Sequence, residues 1–197
     1  MPDLWAADDC AAWAAALADY PACISRQPSA LLHKRDPWYR DELPARIAAR
    51  PEPFITRDEL VWVVEWKMAR GAWRARNLHL ARANPPDEVE DRSRAAFAAV
   101  PDERAPLKLL GALKGIGPAT ASAVLAAYRP DLYPFFDDVV AAQVPGLSAD
   151  FTLTAYLPYA AALRARAARL ATHCPDQPWT AQLVGLALWS ASGGKTG

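Results

Sequence analysis

Residues 113–118 read Leu-Lys-Gly-Ile-Gly-Pro, and no other stretch restricts the path of the chain so tightly. Two glycines around one isoleucine permit positive φ and close backbone approach. Pro118 suits the first position of a helix, where its missing N–H has no partner to lose. The flanking runs, 105–113 and 118–128, are apolar or alanine-rich and lack strand-like alternation, so each is expected as a helix. A helical hairpin must then sit inside the fold. The rest of the chain is rich in alanine and arginine and equally poor in alternation, so an all-α protein is expected.

Further helices are expected over 3–20, 38–50, 56–70, 72–83, 87–99, 138–144, 152–172 and 179–190. Pro21 is taken to stop the first, and 21–37 to be irregular with Pro28 and Pro37 as breakers. Thr56-Arg57-Asp58-Glu59 fits a capping box, in which the Thr56 hydroxyl accepts from the Glu59 amide and the carboxylate reaches back. Residues 1–192 are expected to form a single all-helical domain, or two lobes with a cleft between them. Residues 193–197 are expected as a flexible tail. Gly-Gly-Lys-Thr in that tail resembles the end of a phosphate-binding loop. Trp189 stands where its first glycine belongs and no strand precedes it, so no such loop is expected.

Lys plus Arg and Asp plus Glu number 22 each, so a uniformly basic domain is excluded and any nucleic acid must be held by a local patch. One such patch exists in sequence. Lys67, Arg70, Arg74, Arg76 and Arg82 lie in a span without acids, and Trp66 and Trp73 interleave with them. Such cations suit phosphates and an indole can stack on an unpaired base. The same pattern also describes a solvated helix face with tryptophan in the core, and Arg164, Arg166 and Arg169 are read that way. Cys10, Cys23 and Cys174 show no short spacing and are read as three reduced thiols in a reducing compartment. His33, His79 and His173 lie far apart without ligand-spaced partners, so no metal or cofactor is expected. With no apolar run of membrane-spanning length and no signal peptide, the protein is expected to be an intracellular monomer, nuclear in a eukaryote.

Two chemical readings of the hairpin compete. The amides of Ala119 and Thr120 open a helix, so with Gly115, Gly117 and Lys114 at the rim they can hold an anion such as a phosphate. Equally, the motif is a compact turn between two helices. Asp137 and Asp138 follow Gly117 by about twenty positions. Each is placed to cap the helix that begins there, or to stabilise a developing positive charge and orient a water. The sequence does not choose between the two acids.

Leu113–Leu125 together with Asp137 and Asp138 resembles the helix-hairpin-helix element of the DNA glycosylase superfamily, whose members carry a Gly/Pro-rich hairpin and a downstream aspartate. The resemblance implies a glycosylase-like helical fold and DNA, double-stranded and damaged, as the partner. It also implies Gly115 and Gly117 presenting backbone amides to a phosphate, and Asp138 or Asp137 as the catalytic acid at the mouth of a cleft. Bifunctional members carry a lysine on the second hairpin helix, where this chain has Ala119 and its neighbours and no lysine from 115 to 194, so only monofunctional N-glycosidic hydrolysis is implied. A non-catalytic DNA-binding module and a helical interaction module remain alternatives. Residues 58–74, with the hairpin and residues 134–138, are more loosely similar to uncharacterised, largely fungal helical proteins.

Overall fold

Why the prolines of this chain do not break it up becomes clear from the computed structural model, which describes residues 4–148 and 150–195. The helices are α1 Cys10–Ala18, α2 Tyr20–Arg26, α3 Ala30–Pro37, α4 Leu43–Ala48, α5 Arg57–Arg70, α6 Ala75–Arg82, α7 Pro86–Ala98, α8 Ala105–Gly111, α9 Pro118–Tyr128, α10 Asp138–Ala141, α11 Leu153–His173 and α12 Ala181–Ala191. A π-helical turn, Trp38–Glu42, joins α3 to α4. No strand occurs among the described residues, and the all-α class is met.

Pro21, Pro44, Pro86, Pro106 and Pro118 all occupy the first or second position of a helix. There an N–H has no intrahelical acceptor, so proline starts helices here more than it stops them. This overturns the irregular reading of 21–37: Pro21 opens α2, and the Ser29 hydroxyl caps α3 by accepting from Leu32 N at 3.2 Å. The first helix begins at Cys10, not at residue 3, which lies outside the described residues. The Thr56 capping box forms in full, with Glu59 N donating to the Thr56 hydroxyl at 3.3 Å and Thr56 N donating to the Glu59 carboxylate at 2.8 Å.

The helices group around two buried axes. Nine of the eleven residues of α9 are buried, and it packs against α4, α5 and α8. Its alanines let those neighbours approach closely, while Val124 and Leu125 each contribute about 1.5–3 kcal/mol by burial. The second axis is α12, which packs against α1, α2, α10 and α11. One continuous hydrophobic core joins the two groups.

Contacts near the chain ends bear on the readings of the cysteines, of Arg164, Arg166 and Arg169, and of the tail. Cys10, which opens α1, and Cys174, which caps α11, form a disulfide with Cα atoms 5.5 Å apart; only Cys23 is free, and it is buried. Packing of α1 and α11 against α12 brings together cysteines 164 positions apart, a pairing no local spacing reveals. The Arg164–Arg169 cluster is a solvated face only in part: Arg169 is exposed, but Arg166 pairs with Asp8 at 3.1 Å and lies over the Trp5 and Trp13 rings. The first three tail residues make contacts with the rest of the protein. Gly194 N donates to Trp189 O at 3.0 Å, and at φ +80 a Cβ there would collide with the Gln27 side chain. Residues 196–197 of the expected tail lie outside the described residues.

Candidate functional site

The hairpin turn between α8 and α9 is pinned from below. Leu113 and Ile116 are buried in the core. Asn84, 1% exposed, donates from Nδ2 to Lys114 O at 3.0 Å and accepts from Lys114 N at 2.9 Å, clamping the turn onto the α6–α7 connection. The two glycines have different duties. Gly115 is left-handed (φ +77), and a Cβ on it would lie 2.7 Å from Asn77 O and 2.8 Å from Leu80 Cβ. Gly117 has an extended backbone (φ −97, ψ 179) that any residue adopts, and nothing lies within 4 Å of its would-be Cβ. Of the positive φ that both glycines permit, only Gly115 makes use.

Past the turn, Thr120 N is not free as the sequence suggests: it donates to Gly117 O at 3.0 Å, as Ala121 N does at 2.9 Å. The Ala119 amide has no partner among the described residues. Gly117, Pro118, Ala119 and Thr120 line a hollow of about 330 Å³ whose other walls are Lys67, Arg74, Asn77, Asp150 and Phe151. Lys114 is exposed and is not among the lining residues.

The acids arrive on an extended segment that threads between α9, α11 and α12. Phe136 N donates to the Ser122 hydroxyl at 2.9 Å, and Phe135 N donates to Gln182 Oε1 at 2.8 Å. The Tyr159 and Tyr156 hydroxyls donate to Phe135 O at 2.7 Å and Pro134 O at 3.2 Å. Burial holds both phenols well above the ordinary tyrosine range, so they stay protonated as donors.

This scaffold aims the adjacent aspartates differently. Asp137 is 5% exposed, and its Oδ1 caps α10 by accepting from Val139 N at 2.9 Å. Its Oδ2 accepts from Arg70 Nε at 2.9 Å. Arg70 also donates to the Tyr20 hydroxyl at 2.6 Å and lies 3.9 Å from the Trp189 ring centroid. Tyr20 in turn donates to Asp36 at 2.7 Å, and Asp36 further accepts from Trp66 Nε1 and Arg40 Nε. Burial draws the Arg70 pKa down, but Tyr20 and Asp137 more than offset it and hold the group above its usual value. Asp138 is instead 43% exposed by side chain, and its Oδ2 pairs with Lys195 Nζ at 2.9 Å.

Both acids line a second, smaller hollow of about 80 Å³, with Arg70, Gly71, Ala72, Phe135, Phe136 and Lys195 around it. Lys67, Arg74 and Phe151 also line it, and these same three line the hairpin hollow. The N-terminal turn of α9 and the Asp137–Asp138 corner therefore line two adjoining hollows whose shared surface is formed by Lys67, Arg74 and Phe151. Phe151, left-handed at φ 51, packs edge-on against Phe136 at 5.3 Å, with Lys67 Nζ 5.7 Å from its ring centroid. Burial and the nearby Arg74 charge lower the Lys67 pKa, against an upward pull from Asp138 and Asp137. Positive charges from Lys67, Arg74 and Lys195 outnumber Asp138 and Asp150, because Arg70 and Asp137 neutralise each other.

The basic stretch expected to contact DNA thus divides. Lys67 and Arg74 face the shared surface, while Arg76 is exposed outside both hollows. Arg70 is corrected: at 4% exposure it is committed to Asp137 and Tyr20 and is unavailable to an external phosphate. Trp66 is fully buried, stacked on Tyr39 at 3.7 Å, whereas Trp73 is exposed. Asn84, Phe151 and Lys195 are additions that sequence reasoning missed. Only Asn84, ahead of two prolines, carries a local signal, and it reads as a turn.

No curated protein and no solved structure matches this chain. A family model does match residues 75–183, more than half of the chain, and spans α6, the hairpin, Asp137, Asp138 and α11 while leaving out Lys67, Arg70, Arg74 and Lys195. The chain belongs to that family, described as a family of unknown function, DUF6308.

Proposed function

We propose that this protein binds the sugar–phosphate backbone of DNA across the shared concave surface, in the manner of a helix-hairpin-helix repair protein. The observation that supports this reading is the common wall of Lys67, Arg74 and Phe151 between the hairpin hollow and the acid hollow. A phosphate at the first turn of α9 meets the unpartnered Ala119 amide and the helix dipole, with Lys67 and Arg74 alongside. The backbone then continues towards Asp138. A bulky residue at position 117 tests this, because its Cβ meets nothing within 4 Å and the extended backbone there carries no strain. Gly117→Leu is expected to leave the thermal melt in place and to weaken binding of a 20-base-pair fluorescent duplex, with a shallower dependence on salt. Unchanged binding in that variant, or no salt-sensitive binding by the wild type, refutes the reading.

A second reading, monofunctional hydrolysis of an N-glycosidic bond, is favoured by the placement of Asp138. Its carboxylate is half-exposed at the corner of the surface, not buried like Asp137. An ionised carboxylate there stabilises the oxocarbenium-like sugar as the base departs and orients the water that adds to the anomeric carbon. The acid hollow, at about 80 Å³, is too small for a sugar while Lys195 sits on Asp138, so that ion pair must open first. Incubation with a panel of lesion-bearing oligonucleotides, scored for abasic sites, is the assay. Asp138→Asn is expected to abolish base release while folding and DNA binding persist; release that survives Asp138→Asn eliminates the carboxylate mechanism.

A further inference from the structure

Trp73 is 53% exposed, the one large hydrophobic side chain in that state among the described residues. The other seven tryptophans are buried or partly buried. Its loop is nevertheless held: Gly71 N donates to Met68 O at 3.2 Å, and Arg74 N to Met68 Sδ at 3.3 Å. Three of its neighbours, Gly71, Ala72 and Arg74, line the acid hollow, which places the loop that carries Trp73 beside the shared surface. Arg74 and Arg76 follow it closely, both exposed and neither in a salt bridge among the described residues.

A lone indole among unpaired cations is a poor match to another protein, because the centre of a protein interface is a contiguous apolar patch depleted of charge. It matches a planar π system that carries negative charge nearby, which is a nucleobase with its phosphate. In an intact duplex the faces of internal bases are covered by their neighbours, so only an unpaired base is open to stacking.

We infer that Trp73 is a stacking platform for an unpaired base, which makes single-stranded or locally opened DNA the preferred ligand over intact duplex. This rests on the reading that the concave surface holds a DNA backbone. The probes are a fluorescein-labelled 15-nucleotide oligo(dT) and a blunt 15-base-pair duplex, titrated against wild type, Trp73→Ala and Trp73→Phe. Tighter binding of oligo(dT) than duplex is expected for the wild type. Trp73→Ala should weaken oligo(dT) binding by about tenfold or more, leave duplex binding within about twofold, and Trp73→Phe should retain most of the affinity. Tryptophan emission should also be quenched by oligo(dT) in wild type and much less in Trp73→Phe. If Trp73→Ala binds oligo(dT) as wild type does, or weakens both probes equally, the stacking role is overturned while the backbone reading stands. If wild type binds neither probe, both fall together.

Discussion

Asp137 is a structural acid if its partnership with Arg70 is what holds the corner together, and this can be tested by breaking the pair from each side. Arg70→Met removes the 2.9 Å contact to Asp137, the 2.6 Å contact to Tyr20 and the guanidinium over Trp189, leaving a buried carboxylate with only the Val139 amide. An uncompensated buried charge of this kind costs about 3–5 kcal/mol. Asp137→Asn keeps an oxygen to cap α10 but strips the counter-ion from Arg70, with a loss of about the same size. The double variant leaves no buried charge at the corner, so its loss should be about 2–4 kcal/mol, well short of the sum of the single losses. Urea unfolding at neutral pH with matched m-values measures all three. For a chain of this size each kcal/mol moves the melting midpoint by about 2–4 °C, so either single variant should melt roughly 6–20 °C lower. Single losses below about 1 kcal/mol, or strict additivity, would refute the structural role.

Gly115→Ala should destabilise by about 2–4 kcal/mol, since it adds left-handed strain and a 2.7 Å contact with Asn77 O, whereas Gly117→Ala should be neutral or slightly stabilising; paired thermal melts check the contrast. Because the Lys67 pKa lies below its ordinary 10.5, and a phosphate binds the protonated amine, DNA affinity should fall as pH rises through that lowered value, earlier than for an ordinary lysine. Lys67→Arg should keep affinity flat over the same window, and titrations from neutral to alkaline pH would show it. Reducing or deleting the Cys10–Cys174 bridge frees a loop of 164 positions and should cost about 2–5 kcal/mol. Thiol counting under denaturing conditions should find one free group before reduction and three after.

What could be read from the sequence was what short-range chemistry decides. The capping box at Thr56 and the hairpin at 113–118 are local events, and the chain carries their signals within four or five residues. The same local logic misplaced Pro21, because proline suits the first turn of a helix as well as the residue after one. The site was legible only in outline. Proximity of the hairpin to the acids follows from the short path along α9, but the partners that decide each acid's character come from far away: Arg70 lies 67 positions from Asp137, and Lys195 lies 57 from Asp138. No periodicity encodes such pairs. Arg70 looked like part of a basic face because its neighbours Lys67 and Arg74 are on one, yet its own position on α5 points it inward at Trp189 and Tyr20.

The divergence of two adjacent aspartates has a consequence for any activity measurement. Asp137 is the N-cap of α10, with extended backbone (φ −120, ψ 130), and Asp138 is the first helical residue, so the change of backbone region between them separates their side chains. One is drawn under the surface by Arg70 and the other is left at its edge. A loss of base release in Asp137→Asn is therefore expected from collapse of the corner alone, and it says nothing about chemistry unless the variant melts like the wild type. The informative substitution is at Asp138, whose removal leaves the buried Tyr20–Arg70–Asp137 chain intact. Lys195→Met provides the complement: it frees the Asp138 carboxylate without touching the network below. If Asp138 is the reacting acid, opening that ion pair should raise or preserve turnover on a lesion substrate, because Lys195 must leave before a sugar can approach. If Lys195→Met instead abolishes turnover while DNA binding persists, the ion pair is part of the working site, and the order of events proposed for the hollow is wrong.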